Sequence, residues 1–281
     1  SEKIISHRED MTRSERQLVA ALLDDYPIAG LGSITELASR AGVSTTTITR
    51  MLQKIGLEGY AQFQSALRAE LKEMISDPIA KRDTWKADVP EEHILNRYGR
   101  SAMENQRRTL EDIDPEEFDK FCDLLCQLDK RIFVAGGRIS NALAQYFYLH
   151  MQMIRPDVRM LPTGGSWPHY LLDLRPDDIV VLLDVRRYEN TTLAISQMCH
   201  ERGAKVVLFT DQWGSPIQRL AEHSFSARIV VPSAWDSLAP HMVLLECVVA
   251  QVQEQMWDTV KSRNDALEEA FDRTKLFRKF S

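Results

Sequence analysis

Within one short stretch, Ser44, Thr45, Thr46, Thr47, Thr49, Arg50 and Lys54 have the types and spacing to bind a polyanion. Hydroxyls bond phosphates or base edges, arginine can fork onto guanine, and lysine can neutralise a phosphate. Between these residues, Ile48, Met51, Leu52 and Ile55 recur at three- and four-residue steps. The polar and apolar sets therefore fall on opposite faces of one helix. Just upstream, Leu37, Ala38 and Ala41 mark the buried face of a shorter helix, and Ala38 is small enough for close approach. Gly42 stands where a left-handed residue ends a helix without a Cβ penalty. Val43 can plug the corner, and Ser44 can cap the second helix. This is the layout of a helix-turn-helix, whose second helix lies in the DNA major groove with its first residues at base edges. A plain helical hairpin with a solvated, threonine-rich face is the competing reading.

A second set of polar residues follows apolar runs. Arg131-IFVAGG ends in glycines and leads to Arg138 and Ser140; Ile179-VVLLDV leads to Arg186 and Arg187. The second run is unbroken, as in a strand buried on both faces. Further strands are expected at Val158–Leu161, Val206–Thr210 and Ser226–Val231, with helices over Ala142–Met153, Thr191–Arg202, Pro216–Glu222 and Leu238–Val260. Such alternation predicts a doubly wound parallel sheet. Ligands of these sheets sit at the carboxyl ends of the strands, where helix N-termini favour anions. Arg138, Ser140 and Arg186 or Arg187 stand at those ends. His169, His223 and His241 are scattered acid–base candidates, although lone histidines also serve as surface or capping residues. Trp167, on a glycine-rich loop, can wall a pocket or fill a dimer seam. Met242–Val252 is apolar nearly all round, which predicts burial, in part by a second subunit.

The elements that position these groups are read from local signals. Thr12-x-x-Glu15 before Leu18, Val19, Leu22 and Leu23 is a capping box opening an amphipathic helix. Ser33 caps the first helix of the central pair. Gly59–Ile75 gives a further helix with Tyr60, Phe63, Leu67 and Leu71 on one face. Asp77-Pro78 breaks the pattern and Ile79–Val89 reads as linker. Glu91–Leu110 is a sparsely apolar helix, expected to bridge solvent or pack on a partner subunit. Asp114-Pro115 starts a helix running through Phe118, Phe121, Leu124, Leu125 and Leu128.

The 281 residues are enough for two domains with cores of their own. Hydrophobic content of 44% and charged content of 27% are those of a soluble globular protein. The net charge of −6 opposes nucleic-acid binding by the chain as a whole, but a helix-turn-helix needs only a local basic face. No run reaches the length of a membrane helix and no signal-peptide core is seen, so no membrane association is expected. Cys122, Cys126, Cys199 and Cys247 lack metal-ligand spacing. Cys122 and Cys126 share an apolar face and read as core thiols in a reduced, cytoplasmic protein. Neither a metal nor a cofactor is expected.

These residues carry a family resemblance. MTRSERQLVAALL, SITELASRAGVSTTTITRMLQKIGLEGYAQFQSAL and the signature Gly56-Leu-x-Gly59-Tyr60-x-x-Phe63 resemble the RpiR-type bacterial transcriptional regulators. RIFVAGGRISNALAQYF, RPDDIVVLLDV and ERGAKVVLFTD resemble the sugar isomerase (SIS) domain carried by that family. The resemblance implies an all-α helix-turn-helix domain at 1–77, a linker helix at 78–112, and an α/β SIS domain at 113–281 for effector binding and dimerisation. It also exposes departures. Where the family has Gly-x-Gly-x-Ser, this chain has Gly136-Gly137-Arg138-Ile139-Ser140. Where it has Ser-x-Ser-Gly-x-Thr around a sugar phosphate, counting back from Gly203 places Asp184-Val185-Arg186-Arg187-Tyr188-Glu189. The hydroxyl cradle is absent, leaving Gly136, Arg138, Ser140, Asp184, Arg186, Arg187 and Glu189 as the candidate effector site. The arginines either fork onto a small anion, a carboxylate before a plain hexose phosphate, or pair with Asp184, Glu189 or Asp211 and close the pocket. The function implied is a non-enzymatic regulator, with repression favoured over activation. It would bind an operator as a homodimer or higher oligomer and respond to an anionic, sugar-derived metabolite. The alternative is a sugar-phosphate isomerase with an accessory helical domain. That needs a phosphate cradle and an acid–base pair, for which only His241 and Glu246 present themselves.

Overall fold

The computed structural model describes residues 11–23, 26–75, 79, 81 and 92–277. Contacts divide the chain into two compact units: residues up to 92 with 232–235, and residues 93–231 with those from 236 onward. The break expected at Asp77-Pro78 and most of the linker Ile79–Val89 lie outside the described residues.

In the first unit, local capping sets the helix boundaries. The Thr12–Glu15 capping box opens α1 (Arg13–Leu23): Thr12 N–H donates to Glu15 Oε2 at 2.7 Å, and Glu15 N–H to Thr12 Oγ1 at 3.3 Å. A second box, Ser33 with Glu36, opens α2 (Ile34–Ala41). Gly42 ends that helix at φ 64°, and Ser44 caps α3 (Thr45–Lys54) through the Thr47 amide. α4 (Tyr60–Ile75) closes the unit. Leu18, Leu22, Leu37, Ile48, Met51, Leu52, Phe63 and Leu67 form one buried core. Tyr60 Oη and Gln64 Nε2 reach back to the carbonyls of Gly30, Leu31 and Gly32, tying α4 to the turn before α2.

The second unit is a five-stranded parallel sheet in the order β2-β1-β3-β4-β5, with β1 at Ile132–Gly136, β2 at Val158–Met160, β3 at Ile179–Leu183, β4 at Lys205–Asp211 and β5 at His223–Ala227. Its helices are α5 (Ile94–Asp112), α6 (Pro115–Leu125), α7 (Asn141–Ile154), α8 (Trp167–Leu171), α9 (Asn190–Glu201), α10 (Ala239–Gln255) and α11 (Trp257–Thr274). β1 pairs with β2 on one side and β3 on the other, so the direction of winding reverses between β1 and β3. One sheet face packs on α6, α7 and α10 around Phe121, Phe147, Phe209 and Leu245. The opposite face packs on α8 and α9 around Phe133, Leu171, Ile195 and Leu208.

Four expectations need correction. The last strand lies at His223–Ala227 rather than Ser226–Val231, in register with Val207–Asp211. Ile229 and Val231 are buried, but the Ile229 amide donates to Gln212 Oε1 and the Val230 carbonyl accepts from Asn105 Nδ2. Burial of an apolar run thus overstated its pairing. Pro216–Glu222 contains a single 3₁₀ turn, Pro216–Arg219. The helix over Leu238–Val260 breaks at Met256, where φ −109° and ψ 24° separate α10 from α11 without proline or glycine. Finally, α5 does not bridge solvent: it packs on α10 within its own unit, while Leu95 and Met103 on it stay exposed. Thr109 is buried and its Oγ1 accepts from the Arg228 amide at 3.0 Å.

Candidate functional site

α3 presents Ser44, Thr46, Arg50 and Lys54 to solvent, with Thr45, Thr47 and Thr49 partly covered. Ile48, Met51 and Leu52 anchor the opposite face, each at most 1% exposed. Several hydroxyls are already engaged. Ser44 Oγ accepts from the Thr47 amide and lies 2.9 Å from Thr47 Oγ1, while Thr49 Oγ1 donates to the Thr45 carbonyl at 3.1 Å. Lys54 Nζ sits 3.3 Å from Glu15 Oε2 on α1. The Thr12 amide bonded to Glu15 holds that carboxyl below the usual range, with Lys54 contributing to the same effect. Lys54 therefore braces α3 on α1 as well as offering charge. Arg50 is exposed, and a guanidinium is the group in this set that can fork onto a base edge. Sequence reasoning missed the Glu15 contact: the Thr12 capping box identified Glu15, but no local signal connects it with a lysine on another helix.

The second set converges at the carboxyl ends of β1 and β3, the switch point of the sheet. Gly136 ends β1 where a Cβ would lie 2.7 Å from the Asn141 nitrogen, so the turn admits no side chain there. Ser140 precedes α7, but its Oγ donates to the Leu183 carbonyl at 2.8 Å, tying the turn to the end of β3. Arg138 is exposed, and its amide donates to Glu189 Oε1 at 2.6 Å. The Glu189 amide donates to Asp184 Oδ1 at 3.2 Å, and Ser215 Oγ donates to Asp184 Oδ2. Asp184 is 2% exposed. Burial, reinforced by the charges of Asp211 and Glu189, pushes its carboxyl up to about 6 against the Ser215 and Glu189 hydrogen bonds.

Arg186 and Arg187 both adopt positive φ, 43° and 56°. The Arg186 amide donates to Asp211 Oδ2 at 2.7 Å. Its Nε lies 3.5 Å from Asp236 Oδ2, and its guanidinium stacks 4.7 Å from the Trp213 ring centroid. Of the acidic partners anticipated, Asp211 meets Arg186 through the backbone amide. Arg187 is exposed. Tyr188 Oη donates to Asp211 Oδ1 at 2.8 Å, and burial raises both the tyrosine and the aspartate above their ordinary ranges. Trp213, Ser215 and Asp236 were not anticipated. Ser215 was detectable as the residue before Pro216, where it caps a 3₁₀ turn.

The scattered histidines do not assemble with one another into an acid–base site. His169 is exposed, His223 Nδ1 lies 3.2 Å from Glu117, and His241 Nε2 bonds the Thr210 carbonyl at 2.8 Å. Burial depresses His241 to about 4, so it is neutral near pH 7. Glu246 accepts from Tyr146 Oη. Cys122 is buried and its thiol is pushed up to about 12 by burial, as befits a core thiol. Among the described residues no cluster of three or more His, Cys, Asp or Glu is placed to hold a metal, and no helix is long and apolar enough to cross a membrane.

Two family models match the chain: "Helix-turn-helix domain, rpiR family" over residues 1–74 and "SIS domain" over 127–250. The HTH-type transcriptional regulator HexR of Escherichia coli is 24% identical over 243 residues, 85% of this chain and 80% of that protein. The sugar isomerase domain of an RpiR transcription factor from Sphaerobacter thermophilus superposes with TM-score 0.60 at 23% identity, covering 63% of this chain and 99% of that one. The Vibrio vulnificus NanR protein, solved with ManNAc-6P, has TM-score 0.56 at 17% identity, covering 99% of this chain and 98% of that one. Both solved structures share the fold. With the rpiR-type helix-turn-helix followed by the SIS sheet, in that order and over most of its length, the chain belongs to the RpiR family of helix-turn-helix proteins carrying a SIS domain.

Proposed function

We propose that this chain is a DNA-binding transcriptional regulator acting as a homodimer, with repression favoured over activation. Residues 1–77 would contact the operator, 78–112 would connect, and 113–281 would dimerise and bind a small anionic, sugar-derived metabolite. The observation that carries the DNA reading is α3: an exposed Arg50 and hydroxyl-bearing first turn, backed by Ile48, Met51 and Leu52 in the core. Two such helices, related by a dimer axis, would occupy successive major grooves of a pseudo-palindrome.

For the effector, support comes from the switch-point position of Arg138 and Arg187, both exposed, and from NanR, whose complex holds a sugar phosphate. Effector and operator would alter each other's affinity reciprocally, by about 1–3 kcal/mol in typical systems. The test begins with operator fragments selected from random DNA and footprinted. Arg50→Ala should weaken specific binding by about 1–3 kcal/mol and relax one base position. Lys54→Ala should act evenly across sequences and flatten the salt dependence. Wild-type footprints from both variants would refute the assignment. Titration of the operator complex with hexose phosphates and sugar acids, followed by fluorescence anisotropy, tests the effector; Arg186→Ala with Arg187→Ala should abolish the response.

A further inference from the structure

The turns after β1 and β3 are joined at the switch point by a carboxylate of the chain itself. Glu189 Oε1 accepts the Arg138 amide at 2.6 Å, and a Cβ built on Gly137 would lie 3.0 Å from that same oxygen. The carboxylate thus lies directly over the Gly137–Arg138 backbone. Glu189 is held there from below, its own amide bonded to Asp184 Oδ1 and Asp184 bonded to Ser215. A backbone N–H on a carboxylate at this distance is the charge-assisted bond that an anionic ligand would make. A group tethered beside its site competes as though present at high local concentration, about millimolar for short flexible links and higher for a preorganised one.

We propose that Glu189 is a built-in competitor for the effector site, holding the Arg138 amide until an anion displaces it. This rests on the switch point being the effector site, and it adds a condition on the ligand's chemistry. A neutral sugar offers the Arg138 amide only an uncharged acceptor in exchange for the bond that Glu189 makes; a carboxylate or phosphate offers a charged one. The incoming anion must also come to rest near the displaced carboxylate, which penalises a dianion more than a monoanion. The guanidinium groups of Arg138 and Arg187, one in each turn, are both exposed. The Glu189 backbone is fixed independently of its carboxylate, since the Leu193 amide bonds the Glu189 carbonyl, so displacement needs only a side-chain rotation.

The experiment is calorimetry on the full chain with sodium gluconate and with inorganic phosphate, at constant ionic strength, for wild type, Glu189→Ala and Glu189→Gln. Removing the carboxylate should tighten binding of at least one anion tenfold or more, and the glutamine, which keeps an acceptor oxygen without charge, should give a smaller gain. Hydrogen exchange at the Arg138 amide supplies a second readout: it should be protected in wild type and in the glutamine variant less so. If both variants melt like wild type and bind neither anion more tightly, or if the Arg138 amide is equally unprotected in all three proteins, the proposal is overturned. If the variants gain anion affinity while operator binding ignores both anions, the competitor stands and the effector reading fails.

Discussion

Asp184→Asn isolates the energetic cost of the charge buried under the switch point. Asp184 is 2% exposed and its carboxyl is pushed up to about 6 by burial, from an ordinary value of 3.8. A raised native value means that the folded chain binds this proton more tightly than the unfolded chain. The resulting stabilisation is complete below the unfolded value near 4 and is lost as pH rises through about 6. Across the whole window it amounts to about 3 kcal/mol, at about 1.4 kcal/mol per tenfold change in proton affinity. Between pH 4.5 and pH 8 about 2 kcal/mol of it is traversed. Asparagine fits the same bonds: Oδ1 can accept the Glu189 amide, and Nδ2 can donate to Ser215 Oγ once that hydroxyl rotates. Any change in those bonds is independent of pH, so the quantity to read is how the variant-minus-wild-type difference changes with pH. Urea unfolding followed by tryptophan fluorescence, with Trp213 buried beside Arg186, reports on this unit. Asp184→Asn should gain about 2 kcal/mol relative to wild type between pH 4.5 and pH 8. A difference that stays flat over that range would show that Asp184 ionises as an ordinary carboxylate. The same proton bears on ligands, since a neutral Asp184 removes one charge that repels an incoming anion, and anion affinity should rise below pH 6.

Two further outcomes are expected. Arg187, exposed at φ 56°, should tolerate glycine with a change in stability of no more than about 1 kcal/mol, whereas Arg187→Val should destabilise by roughly 1–2 kcal/mol, because a β-branched residue fits this conformation poorly; urea melts giving valine and glycine the same stability would refute this. Gly30→Ala should destabilise the first unit by about 1–3 kcal/mol, since the new Cβ would lie 2.3 Å from Leu67 Cδ1 and 3.0 Å from Phe63 Cε1 in the core, and limited proteolysis should show earlier cleavage there.

How much was legible depended on how far apart in the chain the causes lie. The capping boxes at Thr12 and Ser33, the left-handed Gly42 and the Ser44 cap each act over three or four residues. A single sequence therefore carries enough to place α1, α2 and α3. The five-stranded parallel sheet was legible too, because strands buried on both faces are apolar without interruption, as Ile179–Leu183 is. The same criterion misplaced β5: Ile229 and Val231 are as buried as a strand, yet side chains of Gln212 and Asn105 satisfy the backbone there. Hydrophobicity reports burial, while pairing is decided by neighbours elsewhere in the chain.

The candidate site shows this limit most clearly. Arg138 and Glu189 are 51 residues apart, Ser140 and Leu183 are 43 apart, and Lys54 and Glu15 are 39 apart. Residue types alone left open whether Arg186 would fork onto a ligand or pair within the loop, and no period or cap decides between them. What the sheet adds is proximity: β1 and β3 bring the two turns together in register, and Asp211 at the end of β4 receives the Arg186 backbone amide. Within this loop Arg187 takes a left-handed conformation at φ 56°. A left-handed residue other than glycine costs about 1–2 kcal/mol, which the surrounding bonds to Asp184 and Asp211 must offset. Those bonds all terminate on carboxylates, so the network that holds the turn is the one that sets its charge. Stability of the loop and its selectivity for anions are therefore coupled at Asp184, where a substitution should move both.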